Sequence, residues 1–268
     1  MGTPIRYFQV DAFTSELFKG NPAGVCILEG SEWLPDDLMQ RIASENNLAE
    51  TAFVLPRGRN FGLRWFTPTV EIDLCGHATL ASAVVLAELQ KFVDRSRVTF
   101  STRSGDLTVE RYGSLFQMDF PGLNVAPCQP PPDLLESLSG KALYVGQSKF
   151  DYVIEFESEE AIRSIKPNFN ALANVKCRGV VVTARSVDRQ FDFVSRFFAP
   201  SLGINEDPVT GSAHCILAPF WGSRLGKSKM VGYQASSRGG VVQVELRGDR
   251  VILGGQGVIF GRGQIAGA

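Results

Sequence analysis

Two short polar turns hold most of the residues able to do chemistry. The first is Asp73-Leu-Cys75-Gly76-His77-Ala-Thr79, and the second is Asn205-Glu206-Asp207-Pro-Val-Thr-Gly211-Ser212. The only two histidines, His77 and His214, fall in these turns or in the helix turn beyond. An imidazole titrates near neutrality, so His77, in the turn itself, suits the donation or acceptance of a proton. His214, beside an apolar run, reads as structural. Each turn precedes an apolar helix, whose start offers free N–H groups and the positive end of its dipole. Gly76/His77 and Gly211/Ser212 therefore read as two seats for an anion, with glycine permitting close backbone approach. Ser212 and Asp73 equally suit the plain role of helix caps.

Three further groups bear on these turns. Cys75 has two readings: a thiol acid/base activated by the helix start, or an inert buried hydrophobe. Asp207 follows another acid, Glu206, and precedes Pro208, which holds it extended; one of the two acids is expected to face a cleft. Glu45 closes a helical stretch just before Asn46-Asn47, where the helix dipole opposes a negative charge and raises proton affinity. That is the direction a general base needs, although a glutamate at a helix end also suits plain solvation. No phosphate loop, dinucleotide fingerprint, metal pair or Gly-x-Ser-x-Gly elbow is present.

The elements that must carry these turns form a strand-rich pattern, repeated. Strands are expected at Ile5–Val10, Ala23–Leu28, Thr51–Leu55, Gly62–Phe66, Val98–Ser101, Leu107–Arg111 and Leu115–Phe120. A helix is expected from Trp33 to Glu45, capped by Ser31 and with Pro35 in its first turn. The stretch Ala78–Lys91 is apolar almost all round, the pattern of a buried helix, and Ser212 through Phe220 is its counterpart. Arg64-Trp65-Phe66-Thr67-Pro68 returns as Arg196-Phe197-Phe198-Ala199-Pro200, an offset of 132 that sets Cys75 opposite Asp207. Arg103–Gly113 returns as Arg238–Gly248 at an offset of 135. Between the halves, Pro121–Pro132 holds five of the fourteen prolines and reads as a linker. The expected organisation is a domain at 1–120, a linker at 121–132 and a domain at 133–268 whose last strand crosses over, each domain a curled sheet around a buried helix. If the halves pack about a pseudo-two-fold, both turns converge on one cleft suited to a small carboxylate.

Composition narrows the class. With 268 residues, 27 Lys+Arg and 28 Asp+Glu, the chain has a formal net charge of −1, which provides no field for gathering nucleic acid or anionic lipid. Five scattered cysteines without a C-x-x-C pair suit a reducing compartment, and no stretch has the ~18 apolar residues of a membrane span. A soluble cytoplasmic protein with no nucleic-acid or membrane partner is the expectation.

Phe8-Gln-Val-Asp-Ala-Phe13 with Gly20-Asn-Pro-Ala-Gly24, Glu45-Asn-Asn-Leu-Ala-Glu-Thr-Ala-Phe53, Phe66-Thr-Pro68, Cys75-Gly-His-Ala-Thr79 and Glu206-Asp-Pro-Val-Thr-Gly-Ser212 together resemble the PhzF family of phenazine biosynthesis-like proteins. The resemblance implies an α+β, diaminopimelate epimerase-like fold of two pseudo-symmetric domains, each a barrel-like sheet around a central helix. It also implies isomerisation of a small carboxylate by proton transfer, with no cofactor or metal. In that pattern Glu45 matches the proton-abstracting glutamate, His77 and Asp207 the assisting groups, and Gly76, Gly211 and Ser212 the turns that hold substrate. Cys75 matches one cysteine of the epimerases while Asp207 replaces the other, which leaves open a racemase or epimerase pairing the thiol with a carboxylate. A binding protein that keeps the cleft without turnover is the remaining alternative. Members are often homodimers, and a homodimer is the corresponding expectation.

Overall fold

The computed structural model describes residues 4–92 and 96–266, and the chain divides into two units: residues 1–119 with 254–268, and residues 120–253. In chain order the first unit runs β1 (Ile5–Ala12), β2 (Asn21–Ile27), α1 (Asp36–Asn46), β3 (Glu50–Arg57), β4 (Asn60–Phe66), β5 (Glu71–Ile72), α2 (Gly76–Glu88), β6 (Arg97–Thr102), β7 (Gly105–Tyr112) and β8 (Leu115–Pro121). There follow β9 (Ala126–Pro127), β10 (Ala142–Gln147), β11 (Asp151–Phe156), α3 (Glu159–Ser164), α4 (Phe169–Leu172), β12 (Gly179–Arg185), β13 (Phe193–Ala199) and β14 (Ile204–Asp207). The chain then forms α5 (Gly211–Leu225), β15 (Lys229–Gln234), β16 (Gly240–Arg247) and β17 (Arg250–Gly255) before β18 (Gly257–Ile265) pairs antiparallel with β1 in the first unit. The proline-rich stretch is not a free linker: it lies in the second unit and includes β9, which pairs with β10.

The two units share one strand-pairing scheme. In the first, β1–β2 is antiparallel, β2–β3 parallel across α1, β3–β4 antiparallel, β4–β6 parallel across α2, and β6–β7 antiparallel. In the second, β10–β11, β11–β12, β12–β13, β13–β15 and β15–β16 repeat that sequence, with α3 and α4 at the first crossover and α5 at the second. Parallel neighbours need such crossovers, so each unit carries them where its sheet turns parallel. β4 and β13 are the strands of the first sequence repeat, and β7 and β16 those of the second.

Burial follows from this layering. Met39, Ile42 and Ala43 of α1 pack over Cys26, Phe53, Leu55 and Phe66, while α2 packs against β1, β2, β3 and β18. Strands covered on both faces read as continuous apolar runs, hence the fully buried Thr51–Leu55 and Gly179–Ala184. α2 is buried from His77 to Leu86, and α5 from Ala213 to Ala218. In the second unit Ile154, Phe156, Val180, Val182 and Phe198 form the matching core with Ile162 of α3 and Leu172 of α4. α1 starts later than expected: Pro35 is its N-cap and Ser31 caps nothing, its carbonyl instead accepting from Arg57.

Candidate active site

The first unit builds its part of the site where α1 hands over to β3. Asn47 takes the left-handed conformation (φ 47°), its N–H bonds to Ala43 O, and α1 ends. Asn46 Nδ2 then donates to Thr51 Oγ1 at 3.1 Å, tying the helix end to the strand. Glu50 becomes the first residue of β3, buried opposite Ala23 of β2, and Asn21 at the start of β2 is buried as well. α2 packs on these strands with the extended Cys75 as its N-cap and no side chain capping it.

His77, 5% exposed, is the hub. Its Nε2 lies 2.9 Å from Glu50 Oε2, an ion-pair distance, yet neither atom has a hydrogen-bond partner, so the N–H and the carboxylate lone pair are not aligned. Nδ1 lies 3.3 Å from the Asn21 amide nitrogen and 3.5 Å from Cys75 Sγ, with donor and acceptor roles following the protonation of the ring. Burial by itself would lower the imidazole, but the neighbouring Cys75 and Glu50 prevail and hold His77 well above its ordinary value. Burial, and then the charge of Glu50, pushes the Cys75 thiol up. The sulfur is thus held as the neutral thiol, and Cys75 and Glu50 together favour the protonated ring of His77. The donor atoms of Glu50, Cys75 and His77 all lie within 4.8 Å of one another, a set that matches the ligand types of zinc.

Glu45 is not among them. It sits exposed in the last turn of α1, about 100° around the helix from the stripe formed by Met39, Ile42 and Ala43. The carboxylate that meets His77 is Glu50, five residues later, in the same Glu-Asn-Asn-Leu-Ala-Glu run. A signal for it existed: an acid opening an otherwise apolar buried strand must have a partner.

The second unit builds a different arrangement on the same frame. Thr210 is the N-cap of α5, again without a side-chain cap, and the helix starts at the buried Gly211 with Ser212 half-buried. Thr210 Oγ1 donates to Asp207 Oδ2 at 2.5 Å, and Thr210 N–H donates to Gln234 Oε1 at 2.8 Å. Gln234 Nε2 donates to the Asp207 carbonyl at 2.7 Å, so the acid is fixed from β15 and from the helix start. Gln234 carries no motif that would single it out in the sequence. Glu206 is not the acid available for chemistry: Arg196 grips it through Nε and Nη2 at 2.7 and 2.9 Å. His214 is fully buried, Nδ1 lies 2.9 Å from Thr210 O, and burial pushes the imidazole down to about 4, so it is neutral.

The structural register corrects one equivalence. α2 starts at Gly76 and α5 at Gly211, a difference of 135, so Cys75 answers to Thr210, and Asp207 answers to Ile72. The offset of 132 holds at β4 and β13, and the added residues lie between β13 and α5, where a 3₁₀ turn at Pro200–Leu202 and a four-residue β14 replace the two-residue β5.

The profile of the family described as phenazine biosynthesis-like protein matches residues 10–263. An uncharacterized isomerase of Halalkalibacterium halodurans is 48% identical over 269 residues, covering 99% of each chain. The crystal structure of a PhzF-family phenazine biosynthesis protein of Enterococcus faecalis superposes with a TM-score of 0.93 at 43% identity, over 98% of this chain and 99% of that one. A probable proline racemase of Agrobacterium radiobacter, 11% identical, shares the fold at a TM-score of 0.64 over 98% of this chain and 93% of that one.

Proposed function

Because the chain belongs to the phenazine biosynthesis-like protein family, we propose that it is an isomerase that moves a proton on a small carboxylate substrate by acid–base chemistry, with neither metal nor coenzyme taking part. Glu50 is the base, His77 delivers the proton it already carries to the substrate and is reprotonated by the one Glu50 has taken, and the first-turn amides at Gly76 and His77 stabilise enolate-like charge. The observation that carries this reading is the buried Glu50–His77 pair at 2.9 Å beside a helix start that no side chain caps. We assign Asp207 as the assisting acid of the second unit and Gly211 and Ser212 as groups that bind the substrate carboxylate; Asp207 is supported by its fixing through Thr210 and Gln234. The test is proton exchange in heavy water, read by NMR on candidate acids with an acidic C–H. Glu50→Gln is expected to slow deuterium entry by about 10²-fold or more, the usual worth of a positioned base. Exchange that survives Glu50→Gln unchanged overturns the mechanism, and tight binding with no exchange at any carbon points to the ligand-binding alternative.

One observation favours a second reading, in which Cys75 delivers a proton and the reaction inverts a carbon centre: its neutral thiol lies 3.5 Å from His77 Nδ1. Cys75→Ala should then abolish inversion of configuration. Among the described residues no helix is long and apolar enough to cross a membrane, and with all five cysteines free we place the protein in the cytoplasm. A homodimer is proposed from family habit, to be checked by light scattering.

A further inference from the structure

The cluster that moves the proton is also built like a metal-binding centre. Zinc takes thiolate sulfur, imidazole nitrogen and carboxylate oxygen, and Cys75, His77 and Glu50 supply one of each, all buried and within 4.8 Å of one another. Ligands at about 2.3 Å (sulfur) and about 2.05 Å (nitrogen) on a tetrahedral ion stand ~3.6 Å apart. Cys75 Sγ and His77 Nδ1 are already 3.5 Å apart. The second observation is independent of that spacing. His77 Nε2 and Glu50 Oε2 are buried 2.9 Å apart but not aligned as a hydrogen bond, so their contact leaves bonding capacity unused, although charges removed from water normally have it satisfied. A cation on the sulfur–Nδ1 edge draws on the unused carboxylate oxygen, which Glu50 must turn from Nε2 toward that edge, within the 4.8 Å that spans the three donors. Three protein ligands leave a fourth position vacant, the arrangement in which zinc holds water or an anion.

We propose that Cys75, His77 and Glu50 capture a single thiophilic divalent cation of the zinc class, and that its capture switches the isomerase off by occupying the base and the proton carrier. The regulatory half of this statement rests on the reading of Glu50 and His77 as the proton-moving pair; the binding half does not. Capture displaces the proton of the thiol to solvent and leaves a sulfur–metal bond, with no change of oxidation state.

The probe is Co²⁺ added to the full-length protein after treatment with a chelator. The expected result is one Co²⁺ per chain, with a near-ultraviolet thiolate-to-cobalt band and the strong visible absorption of a tetrahedral site, both removed by one equivalent of Zn²⁺. Cys75→Ser should abolish the band, while Cys128→Ser and Cys177→Ser, at the two partly exposed cysteines, should leave it intact. His77→Gln and Glu50→Gln should each weaken binding at least about tenfold, which guards against a Cys75 variant that merely fails to fold. No thiolate band, or a band that persists in Cys75→Ser, overturns the site. In parallel, deuterium exchange should fall in proportion to cobalt bound and return with chelator; full exchange in the loaded protein overturns the switch. Normal exchange by metal-free Glu50→Gln would sink the catalytic reading while leaving the cobalt spectrum as evidence for the site, so the two failures are distinguishable.

Discussion

Replacing Glu50 with glutamine should lower the titration of His77 from its raised position. Two full charges 2.9 Å apart attract by roughly 6 kcal/mol at an effective dielectric constant of 20, which is comparable to the several kcal/mol needed to desolvate each ion. In the wild type the raising influences prevail and His77 stays protonated; in the variant Cys75 still raises the ring but the share of Glu50 is lost, and burial, which favours the neutral ring, gains ground. Because the ring can neutralise itself, the stability lost at pH 7 should be about 1–3 kcal/mol rather than the 3–5 kcal/mol of a broken buried pair that stays charged. The sign for pH follows. A histidine raised in the folded state contributes stability that is complete below about 6.5 and is lost as pH rises through its folded value, at about 1.4 kcal/mol per unit between the two. Wild-type stability should therefore decline above pH 6.5, and Glu50→Gln should show a smaller decline. Cys75 and Cys26 are raised as well, but their windows open only near 9, so the interval just above 6.5 belongs to His77. Side-chain ¹⁵N NMR can follow this directly, because the chain has only two histidines and His214 is held neutral down to about 4. A His77 signal that titrates below 6.5 in the wild type, or one that does not shift in the variant, refutes the reasoning.

Other perturbations have equally definite outcomes. Glu45→Gln, at an exposed helix position, should change stability by less than about 0.5 kcal/mol and leave deuterium exchange at the wild-type rate. His214 works in the opposite sense to His77: its folded value of about 4 lies below 6.5, so stability is present above 6.5 and is lost as pH falls toward 4. That loss amounts to about 3 kcal/mol, and urea titrations of His214→Gln at pH 7 and pH 4.5 should show a smaller acid decline than the wild type. Gly20→Ala should be severely destabilising, by more than about 2 kcal/mol in thermal unfolding, because a Cβ there would stand 2.1 Å from the Ala12 carbonyl oxygen on a backbone with φ +65°. Asn47→Ala should cost about 1 kcal/mol while Asn47→Gly costs little, since the left-handed turn ahead of Glu50 is what each residue must adopt.

The frame was legible because its signals are periodic and redundant. Apolar helices at Ala78 and Ser212, alternating strands and two copies of an aromatic–proline motif all point to the same duplicated sheet-and-helix unit. The acid of the first unit was not legible in the same way. Glu45 and Glu50 flank the same Asn-Asn-Leu-Ala run, and a motif match alone does not say which of them turns inward. Helix phase decides it: Glu45 falls off the stripe that faces the core, while Asn47 ends the helix and Glu50 enters a buried strand. The pairing of Cys75 with Asp207 failed for a related reason. An offset measured at β4 and β13 was carried past an insertion that only the two helix starts reveal.

The two units show what duplication kept and what it released. Arg64 grips Glu71 through Nε and Nη2 at 2.7 Å each, and Arg196 grips Glu206 in the same two-pronged way, each arginine reaching from the strand before the turn to the strand that enters it. Such bidentate pairs, only partly open to water, fix geometry more than they add stability. Both helices then begin at a glycine whose preceding residue caps nothing with its side chain. The chemistry hung on this shared clamp differs: thiol and imidazole with an acid from β3 in one unit, hydroxyls with an acid from β14 in the other. Since the clamp recurs while the donors do not, the frame does not require a thiol at the helix start. Exchanging Cys75 for threonine, the residue at the equivalent cap, should accordingly leave the unfolding midpoint nearly unchanged while removing the cobalt band.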